Sequence, residues 1–445
     1  MKKLTAILLA VVMSVGAFAG CGNPTPSPKT QDASSVAAPE TEAKSEPKAE
    51  AEAKKATLKV VTCFGGTDPN GPVLQEIIKE FQTANPHITI EENSGKATQE
   101  FKARVAADFA VNNEPDVLQF WSDANANDVI KSGKFVSVEE IRKEFPDYGK
   151  DIKPDALKSA TSTDGVSYAL PTTGYYEGLY CNKELFAKYN IELPTTYEKF
   201  VTAIETFKKN DVIPVAISLN EVPHYLIEHL ILAQGGIKEH SISPKDPANI
   251  PESWVKALNY FKTLRDMGAF PADTDVIKVS DAENLFQTGK AAMQLDGSWY
   301  GNNLNKDTTT ILPFPALPDG SGTYGDLIAG FGSGFFITKK AWDDPDKRKA
   351  AVDFVMSNTS KEAIARYWRG SGFAAADCEL PKDLKQLDID GANMSAAATG
   401  INSATDARLS PEAFTSLTSS IADLSKGKIT AEEVVKKLAT LNAKV

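Results

Sequence analysis

The sequence has few of the side chains that usually serve catalysis, metal binding or cross-linking. It contains four histidines and four cysteines in 445 residues, and no two cysteines stand in a Cys-x-x-Cys motif. So few cysteines exclude a disulfide-stapled scaffold, and we expect no disulfide in the folded region. The Gly-x-Ser-x-Gly and His-Glu-x-x-His motifs are absent, which argues against two common classes of hydrolase.

Dense basic patches and long apolar runs are also missing. The chain carries 48 Lys and Arg against 59 Asp and Glu, a net charge of −11, whereas a nucleic-acid-binding surface needs clustered positive charge. The apolar run 4–18 has about 15 residues, fewer than the roughly 20 that span a bilayer. Hydrophobic residues nevertheless make up 42% of the chain, which is enough for a folded core.

The start of the chain is typical of an export signal. Lys2 and Lys3 precede the apolar run, and small residues lead up to Cys21, an arrangement that resembles the signal of bacterial lipoproteins. This resemblance implies that residues 1–20 are a lipoprotein signal peptide and that Cys21 carries the acyl chains of a membrane anchor. An ordinary secretory signal with an incidental cysteine is the alternative.

Residues 21–56 differ in composition from everything that follows them. They are mainly Pro, Ala, Glu, Lys, Ser and Thr, without an aromatic residue, so burial cannot offset the entropy cost of ordering them. We predict a disordered linker that spans roughly 30 Å as a loose coil. Anchored through Cys21, the protein would lie at the cell membrane and face the extracytoplasmic side.

From residue 57 onward, strand-like and helix-like segments alternate. Residues 58–62 and 116–120 have the apolar character of buried strands, and apolar side chains between 73 and 81 repeat at helical spacing. The alternation predicts an α/β fold with a mostly parallel sheet and helices on both faces. Ligands of such sheets bind beyond the carboxyl ends of the strands, so residues that follow strands are candidates for a site.

Two predicted strands end in an aromatic residue beside a carboxylate. Trp121 and Asp123 follow one strand, and Asp296 and Trp299 follow another. Flat indole faces suit the CH-rich face of a sugar ring, and carboxylates accept hydrogen bonds from hydroxyl groups. The alternative is that each tryptophan fills hydrophobic core, but the repeated arrangement favours a binding site.

The order of motifs along residues 57–445 resembles the sugar-binding family of extracellular solute-binding proteins of ABC importers, which includes maltose-binding protein. The matching stretches lie at the opening strand and at 81–91, 115–121, 132–136, 164–171, 178–186, 193–200 and 286–299. Cys181 and Tyr197 stand where this family often has Tyr and Trp. No single stretch is diagnostic, and the resemblance rests on their shared order.

The resemblance implies a two-lobed α/β periplasmic-binding-protein fold of the class II type, whose crossing segments act as a hinge. The implied N-terminal lobe comprises 57–172 and 332–374, and the C-terminal lobe comprises 175–328 and 378–445. The crossings would lie near 171–176, 328–334 and 372–377.

The resemblance also implies which residues bind the ligand. Trp121 and Asp123 would contact it from the first lobe, and Asp296 and Trp299 from the second. The other implied contacts are Asp68 in the first glycine-rich loop and Tyr175, Tyr176, Glu177 and Phe331 at the crossings. Because neighbouring residues of an extended segment face opposite ways, one of Tyr175 and Tyr176 should face the cleft and the other should pack. For Glu177, a solvated or lysine-paired carboxylate is the alternative.

We therefore expect a non-enzymatic receptor that captures a carbohydrate, specifically an oligosaccharide, and delivers it to the permease subunits of an ABC importer. It should act as a monomer, without a cofactor, a metal or nucleic acid. The alternatives are a receptor for a non-sugar solute and a lipid-anchored glycoside hydrolase, which needs two carboxyl groups roughly 5 to 9.5 Å apart. A phosphate loop at 330–334 and a metal site at His224 and His229 both have the wrong spacing.

Overall fold

The computed structural model describes residues 55–66, 68–368 and 372–443. The predicted signal peptide, Cys21 and almost all of the predicted linker lie outside these residues. Ala53–Val445 forms one compact unit. Within the described residues, no helix is long and apolar enough to cross a bilayer.

The strands form two separate sheets. They are β1 (Ala56–Val61), β2 (Ile88–Glu92), β3 (Val117–Trp121), β4 (Ala169–Leu170), β5 (Thr173–Asn182), β6 (Ile213–Ala216), β7 (Ala291–Gly297), β8 (Thr309–Leu312), β9 (Asp326–Gly330), β10 (Ser333–Ile337), β11 (Phe373–Ala374) and β12 (Gly400–Asn402). The first sheet has the order β2-β1-β3-β10-β4. The second has the order β12-β9-β5-β7-β6, and β8 and β11 also pair with β5. We call the first sheet and its helices lobe 1, and the second sheet and its helices lobe 2.

The helices divide between the same two lobes. Those of lobe 1 are α1 (Asn70–Ala84), α2 (Gln99–Ala110), α3 (Asn127–Ile130), α4 (Val138–Glu144), α5 (Pro154–Ser159), α11 (Lys339–Trp342), α12 (Arg348–Asn358) and α13 (Lys361–Tyr367). Those of lobe 2 are α6 (Lys183–Lys188), α7 (Tyr197–Lys209), α8 (His224–His240), α9 (Glu252–Met267), α10 (Val279–Gln287), α14 (Gln386–Ala396), α15 (Pro411–Ser425) and α16 (Ala431–Asn442). Short 3-10 helices follow β3 and β7, at Ala124–Ala126 and Ser298–Asn303.

Each lobe has its own hydrophobic core, which follows from the apolar periodicity of its elements. In lobe 1, α1 buries Leu74, Ile77 and Phe81 on the face turned to the sheet, as the helical spacing predicts. The carboxylate of Asp116 is buried in this core. It accepts a hydrogen bond from the backbone N–H of Lys59 at 2.8 Å. The Lys347 ammonium, at the start of α12, lies 2.9 Å from the same carboxylate.

The expectation of a mostly parallel sheet is wrong, because both sheets are mixed. In lobe 1, β1 runs parallel to β2 and β3, but β10 runs antiparallel to β3 and β4. In lobe 2, β5 runs antiparallel to β7 and β9. The physical reason is that β5 and β10 enter their sheets directly from the other lobe, whereas a parallel pair needs a helical crossover within one lobe.

The chain passes between the lobes through short segments at the inner edges of the sheets. It leaves lobe 1 after β4 and enters lobe 2 with β5, and it returns between β9 and β10. After α13 it runs along β5 as β11. The glycine-rich stretch 330–334 is thus the end of one strand and the start of the next, not a phosphate loop. Gly334 is required at this place, because a Cβ would lie 2.6 Å from the Leu170 carbonyl oxygen.

Candidate functional site

The lobes meet beyond the ends of β3 and β7, and we call this region of contact the cleft. On the lobe 1 side, Trp121 ends β3 and Asp123 caps the following 3-10 helix. On the lobe 2 side, residues 403–410 connect β12 to α15; we call them the 403–410 loop. The Ala407 carbonyl of this loop accepts a hydrogen bond from the Ala124 N–H of lobe 1 at 3.2 Å. The two lobes are therefore in direct contact across the cleft.

Three aromatic side chains of lobe 2 stand together at the cleft; we call Tyr175, Tyr225 and Trp299 the aromatic group. The Trp299 ring lies 6.0 Å from the Tyr175 ring and 6.2 Å from the Tyr225 ring, centroid to centroid, with tilts of 51° and 50°. Trp299 is 38% exposed, so a large part of the indole is available to another molecule. Such rings offer flat apolar faces beside polar edges.

Gly297 determines where the Trp299 ring can lie. A Cβ at position 297 would lie well under 3.0 Å from three atoms of the indole. The backbone of Gly297 is ordinary extended chain, with φ −85° and ψ 168°, so the glycine is needed for space rather than for its conformation. The last residue of β7 thus lets the indole pack directly on the strand.

Asp296 lies beside the aromatic group and is almost completely buried. Its carboxylate accepts hydrogen bonds from the Gly297 N–H at 2.7 Å and from the Gln294 amide at 3.0 Å. Burial, with a smaller effect from the charge of Glu283, raises the pKa of Asp296 to about 7. The group is therefore held in place and changes its charge near neutral pH.

A small cavity adjoins Asp296. It has a volume of about 20 Å³ and is lined in part by Tyr225, Gln294 and Asp296, which is room for a single water molecule. The buried side-chain oxygen of Gln294 has no hydrogen-bond partner. A hydroxyl group or a water in this cavity would satisfy it.

Asp123 faces the 403–410 loop across the cleft. Its carboxylate accepts hydrogen bonds from the Asn125 backbone N–H and side-chain amide, both at 2.9 Å. The same amide nitrogen lies 3.3 Å from a carboxylate oxygen of Asp406 on lobe 2. Burial, followed by the negative charge of Asp406, raises the pKa of Asp123 to about 7. One side-chain amide therefore bridges two carboxylates that belong to different lobes.

Lys102 occupies one face of the Trp121 ring. Its ammonium lies 4.3 Å from the ring centroid and donates a hydrogen bond to the Asn125 side-chain oxygen at 2.7 Å. Such a cation–π contact is attractive and keeps other groups off that face. The indole also packs against the core of lobe 1, where its ring centroid is 5.1 Å from that of Phe120. Trp121 thus has less free aromatic surface for a ligand than Trp299.

Glu177 is buried beside a second glutamate, Glu228 on α8. Among the described residues, Glu177 Oε2 and Glu228 Oε1 have no hydrogen-bond partner. Glu228 accepts hydrogen bonds from the Thr405 N–H at 2.7 Å and hydroxyl at 3.1 Å. Burial raises the pKa of both groups, that of Glu228 to about 8.

His229 also lies near Glu177, with Nδ1 3.8 Å from the carboxylate. Burial lowers the pKa of His229 to about 4, so its imidazole is neutral. Nδ1 is 2.7 Å from the Tyr225 carbonyl oxygen and donates a hydrogen bond to it. Glu177 is therefore neither solvated nor paired with a lysine.

Residues 65–362 match the family of bacterial extracellular solute-binding proteins. The chain belongs to this family. An uncharacterised ABC transporter extracellular-binding protein of Pyrococcus horikoshii is 25% identical over 270 residues, which cover 59% of this chain and 61% of that protein. A multiple sugar-binding protein of Streptococcus mutans is 24% identical over 323 residues, which cover 68% of this chain and 71% of that protein. Among solved structures, a chitin oligosaccharide binding protein is similar with a TM-score of 0.76 at 21% identity, over 88% of this chain and 98% of that chain.

The family and the two-lobed α/β fold of this solute-binding protein were both predicted from its sequence, and both are confirmed. The chain matches about three fifths of the length of the Pyrococcus horikoshii relative. Below 25% identity, the similarity to the solved structure establishes the fold alone.

Three of the predicted binding residues make no ring contact with the aromatic group of the solute-binding protein among the contacts of the described residues. Tyr176 points to the opposite face of β5 from Tyr175 and is buried in the core of lobe 2, with its ring 6.5 Å from Phe373. Phe331 lies at the β9–β10 crossing, half-buried against lobe 1. Asp68 accepts a hydrogen bond from the Asn70 N–H at 2.8 Å, and burial raises its pKa to about 6.

Several cleft residues of the solute-binding protein were missed by the sequence analysis. They are Lys102, Asn125, Tyr225, Glu228 and Asp406. Tyr225 and Glu228 lie in the stretch that also contains His224 and His229, whose histidines draw attention to metal binding instead. Asp406 follows no strand with a recognisable motif, so nothing near it in the sequence indicates a role in the cleft.

Proposed function

We propose that this solute-binding protein captures a carbohydrate between its lobes and presents it to the permease of an ABC importer. The observation that supports this best is the aromatic group beside Asp296, at a cleft between two lobes. Tilted aromatic rings can cover the apolar faces of sugar rings, and a buried carboxyl group can bond to the hydroxyl groups at their edges.

An oligosaccharide is the class of ligand we favour. Tyr175 and Tyr225 both lie beside Trp299, with ring centroids 6.0 and 6.2 Å away, so three rings together could accommodate more than one sugar unit. The names of the S. mutans relative and of the similar solved structure agree with this class. Binding would follow opening and closure of the lobes about the crossings.

We propose binding without catalysis. A glycosidase needs a free carboxylic acid and a free carboxylate that both reach the sugar. Glu177 is 1% exposed, so it is not available as a second carboxyl group beside Asp296 on a bound glycoside. Incubation of the protein with labelled oligosaccharides should release no reducing sugar, and turnover that Asp296→Asn abolishes would contradict this proposal.

The location of the protein is part of the proposal. We propose that residues 1–20 are removed, that Cys21 carries the lipid anchor, and that residues 21–56 link it to the lobes. The boundaries of the N-terminal lobe would be 57–172 with 332–374, and those of the C-terminal lobe 175–328 with 378–445. We propose that the receptor acts as a monomer. Metabolic labelling with palmitate, compared with a Cys21→Ser variant, tests the anchor.

Titration calorimetry of the unit Ala53–Val445, which contains both sheets and both cores, tests the ligand class. The panel would contain neutral mono- and oligosaccharides, amino acids and short peptides. A cognate oligosaccharide at 100 times its Kd should stabilise the fold by about 2.7 kcal/mol. Trp299→Ala should weaken that binding, whereas Val276→Ala, also exposed on lobe 2, should not. Binding of a peptide or amino acid, and of no sugar, would overturn the proposal.

A further inference from the structure

We propose that Asn125 and Asp406 form a clasp that holds the two lobes closed, and that Asp123 takes up a proton when this clasp forms. Asp406 and Asn125 would position the lobes relative to one another. The clasp is made only of groups of this chain, so its formation does not depend on which solute the protein binds.

The contacts place the clasp between the lobes and not within one of them. The Asn125 amide nitrogen, in lobe 1, bonds to Asp123 at 2.9 Å and lies 3.3 Å from the Asp406 carboxylate of lobe 2. One residue earlier, the Ala124 N–H bonds to the Ala407 carbonyl. Opening the cleft must break both inter-lobe hydrogen bonds, since the partners are on opposite sides.

The 403–410 loop is fixed firmly enough to act as one half of a clasp. The Tyr175 hydroxyl accepts a hydrogen bond from the Ala404 N–H at 2.9 Å, and Glu228 accepts two from Thr405. The Arg408 guanidinium donates to the Ser403 carbonyl at 3.3 Å. With its backbone tied at several points, the loop presents Asp406 to lobe 1 in a set position.

Charge explains why a proton is involved. Closure brings the carboxylates of Asp123 and Asp406 to either side of one amide group, where they repel one another. The charged or titratable groups that face this pair are Lys102 on α2, Tyr175 on β5, His224, Tyr225, Glu228 and Glu177 in lobe 2, and Arg408 on the loop itself. Burial and then the charge of Asp406 raise the pKa of Asp123, and the positive charge of Lys102 offsets this only in part. A proton on Asp123 removes one of the two negative charges.

The direction of the pH effect follows from the two states of Asp123. Between the closed lobes its pKa is about 7, whereas in an open, hydrated cleft it should return to about 3.9, the ordinary value for aspartate. Below about pH 4 the group is protonated in both states, and above about pH 7 it is ionised in both. Between these limits closure takes up a proton, so the ratio of closed to open protein should fall by up to tenfold for each unit of rising pH.

Small-angle X-ray scattering of ligand-free Ala53–Val445 between pH 5 and 9 tests the inference. The radius of gyration should rise from pH 5 to about 7 and stay constant above that. Asp123→Asn should remain compact at every pH, since its amide carries no charge, and Asp406→Ala should be expanded at every pH. Asp128→Asn, exposed on α3 in the same lobe, should keep the wild-type profile and serves as the matched control.

Two results would overturn the clasp. One is a wild-type radius of gyration that does not change with pH, and the other is an Asp123→Asn profile that matches the wild type. Circular dichroism melts of each variant distinguish lobe opening from unfolding, because only unfolding removes the cooperative transition. Failure of the clasp would leave the proposed sugar binding intact, since that proposal is tested by titration with ligands.

Discussion

Gly297 leaves the space in which the Trp299 indole lies, so a substitution there should affect ligand binding even if residue 297 does not touch the ligand. Gly297→Ala introduces a Cβ into the space of the Trp299 indole, while its backbone angles are acceptable for alanine. Because Trp299 is partly exposed, we expect its ring to swing away from the strand rather than the strand to distort. The variant should therefore fold normally and bind its ligand weakly.

The exposed fraction of Trp299 sets the magnitude. An aromatic side chain offers about 150 to 250 Å², and 38% of Trp299 is exposed, so a ligand could cover about 60 to 95 Å². At about 25 cal/mol per Å² this amounts to about 1.4 to 2.4 kcal/mol, which is about 10- to 60-fold in Kd.

Titration calorimetry of a double-mutant cycle checks the reasoning. Gly297→Ala and Trp299→Ala should each raise Kd by a similar factor, and the double variant should be no worse than either, because both act through the same ring. Gly301→Ala is the matched control, since its added Cβ would lie at an ordinary 3.4 Å from the Tyr180 oxygen. Additive losses, or a Gly297→Ala variant that binds as tightly as the wild type, would refute the argument.

Three further predictions concern stability. Glu177→Gln should reduce the loss of melting temperature between about pH 4.5 and 8. The raised pKa of Glu177 and Glu228 stabilises the fold fully below their ordinary pKa, and this contribution is lost as pH rises through about 8. Calorimetric melts across this range would show an unchanged slope if this is wrong. Tyr175→Phe leaves the buried Ala404 N–H without an acceptor and should lower the free energy of unfolding in urea by about 1 to 3 kcal/mol. Asp116→Asn breaks the ion pair of Asp116 with Lys347, whose side chain is 23% exposed, and should lower the free energy of unfolding by about 1 to 3 kcal/mol. An unaltered urea midpoint would contradict that role.

Local patterns in the sequence were sufficient to locate the helix faces and the strand ends. The apolar spacing of α1 and the Trp–Asp pairs after β3 and β7 depend on residues that are neighbours in the chain, and the structure has both where the patterns place them. The alternation of Tyr175 and Tyr176 across β5 is a consequence of strand geometry alone.

Strand direction could not be predicted in the same way. The periodicity of apolar residues indicates which side chains are buried, but not which strands are neighbours in a sheet. The antiparallel pairing of β5 and β10 therefore could not be predicted from it. The surroundings of Glu177 were hidden for the same reason, because Glu228 reaches it from a separate helix. Such partners are set by the packing of the whole lobe.

The surroundings of Asp123 could not be predicted from the sequence either. Its position after β3 is visible in the sequence. Its raised pKa is not, because burial is the larger cause and the charge of Asp406 the next. The amide that joins the two carboxylates is 281 residues from Asp406 in the chain and on the other lobe. A loss of affinity between pH 5 and 7 for an uncharged ligand has two possible sources, opening of the lobes and ionisation of Asp296 in the site itself. Asp123→Asn should abolish that loss if the clasp causes it.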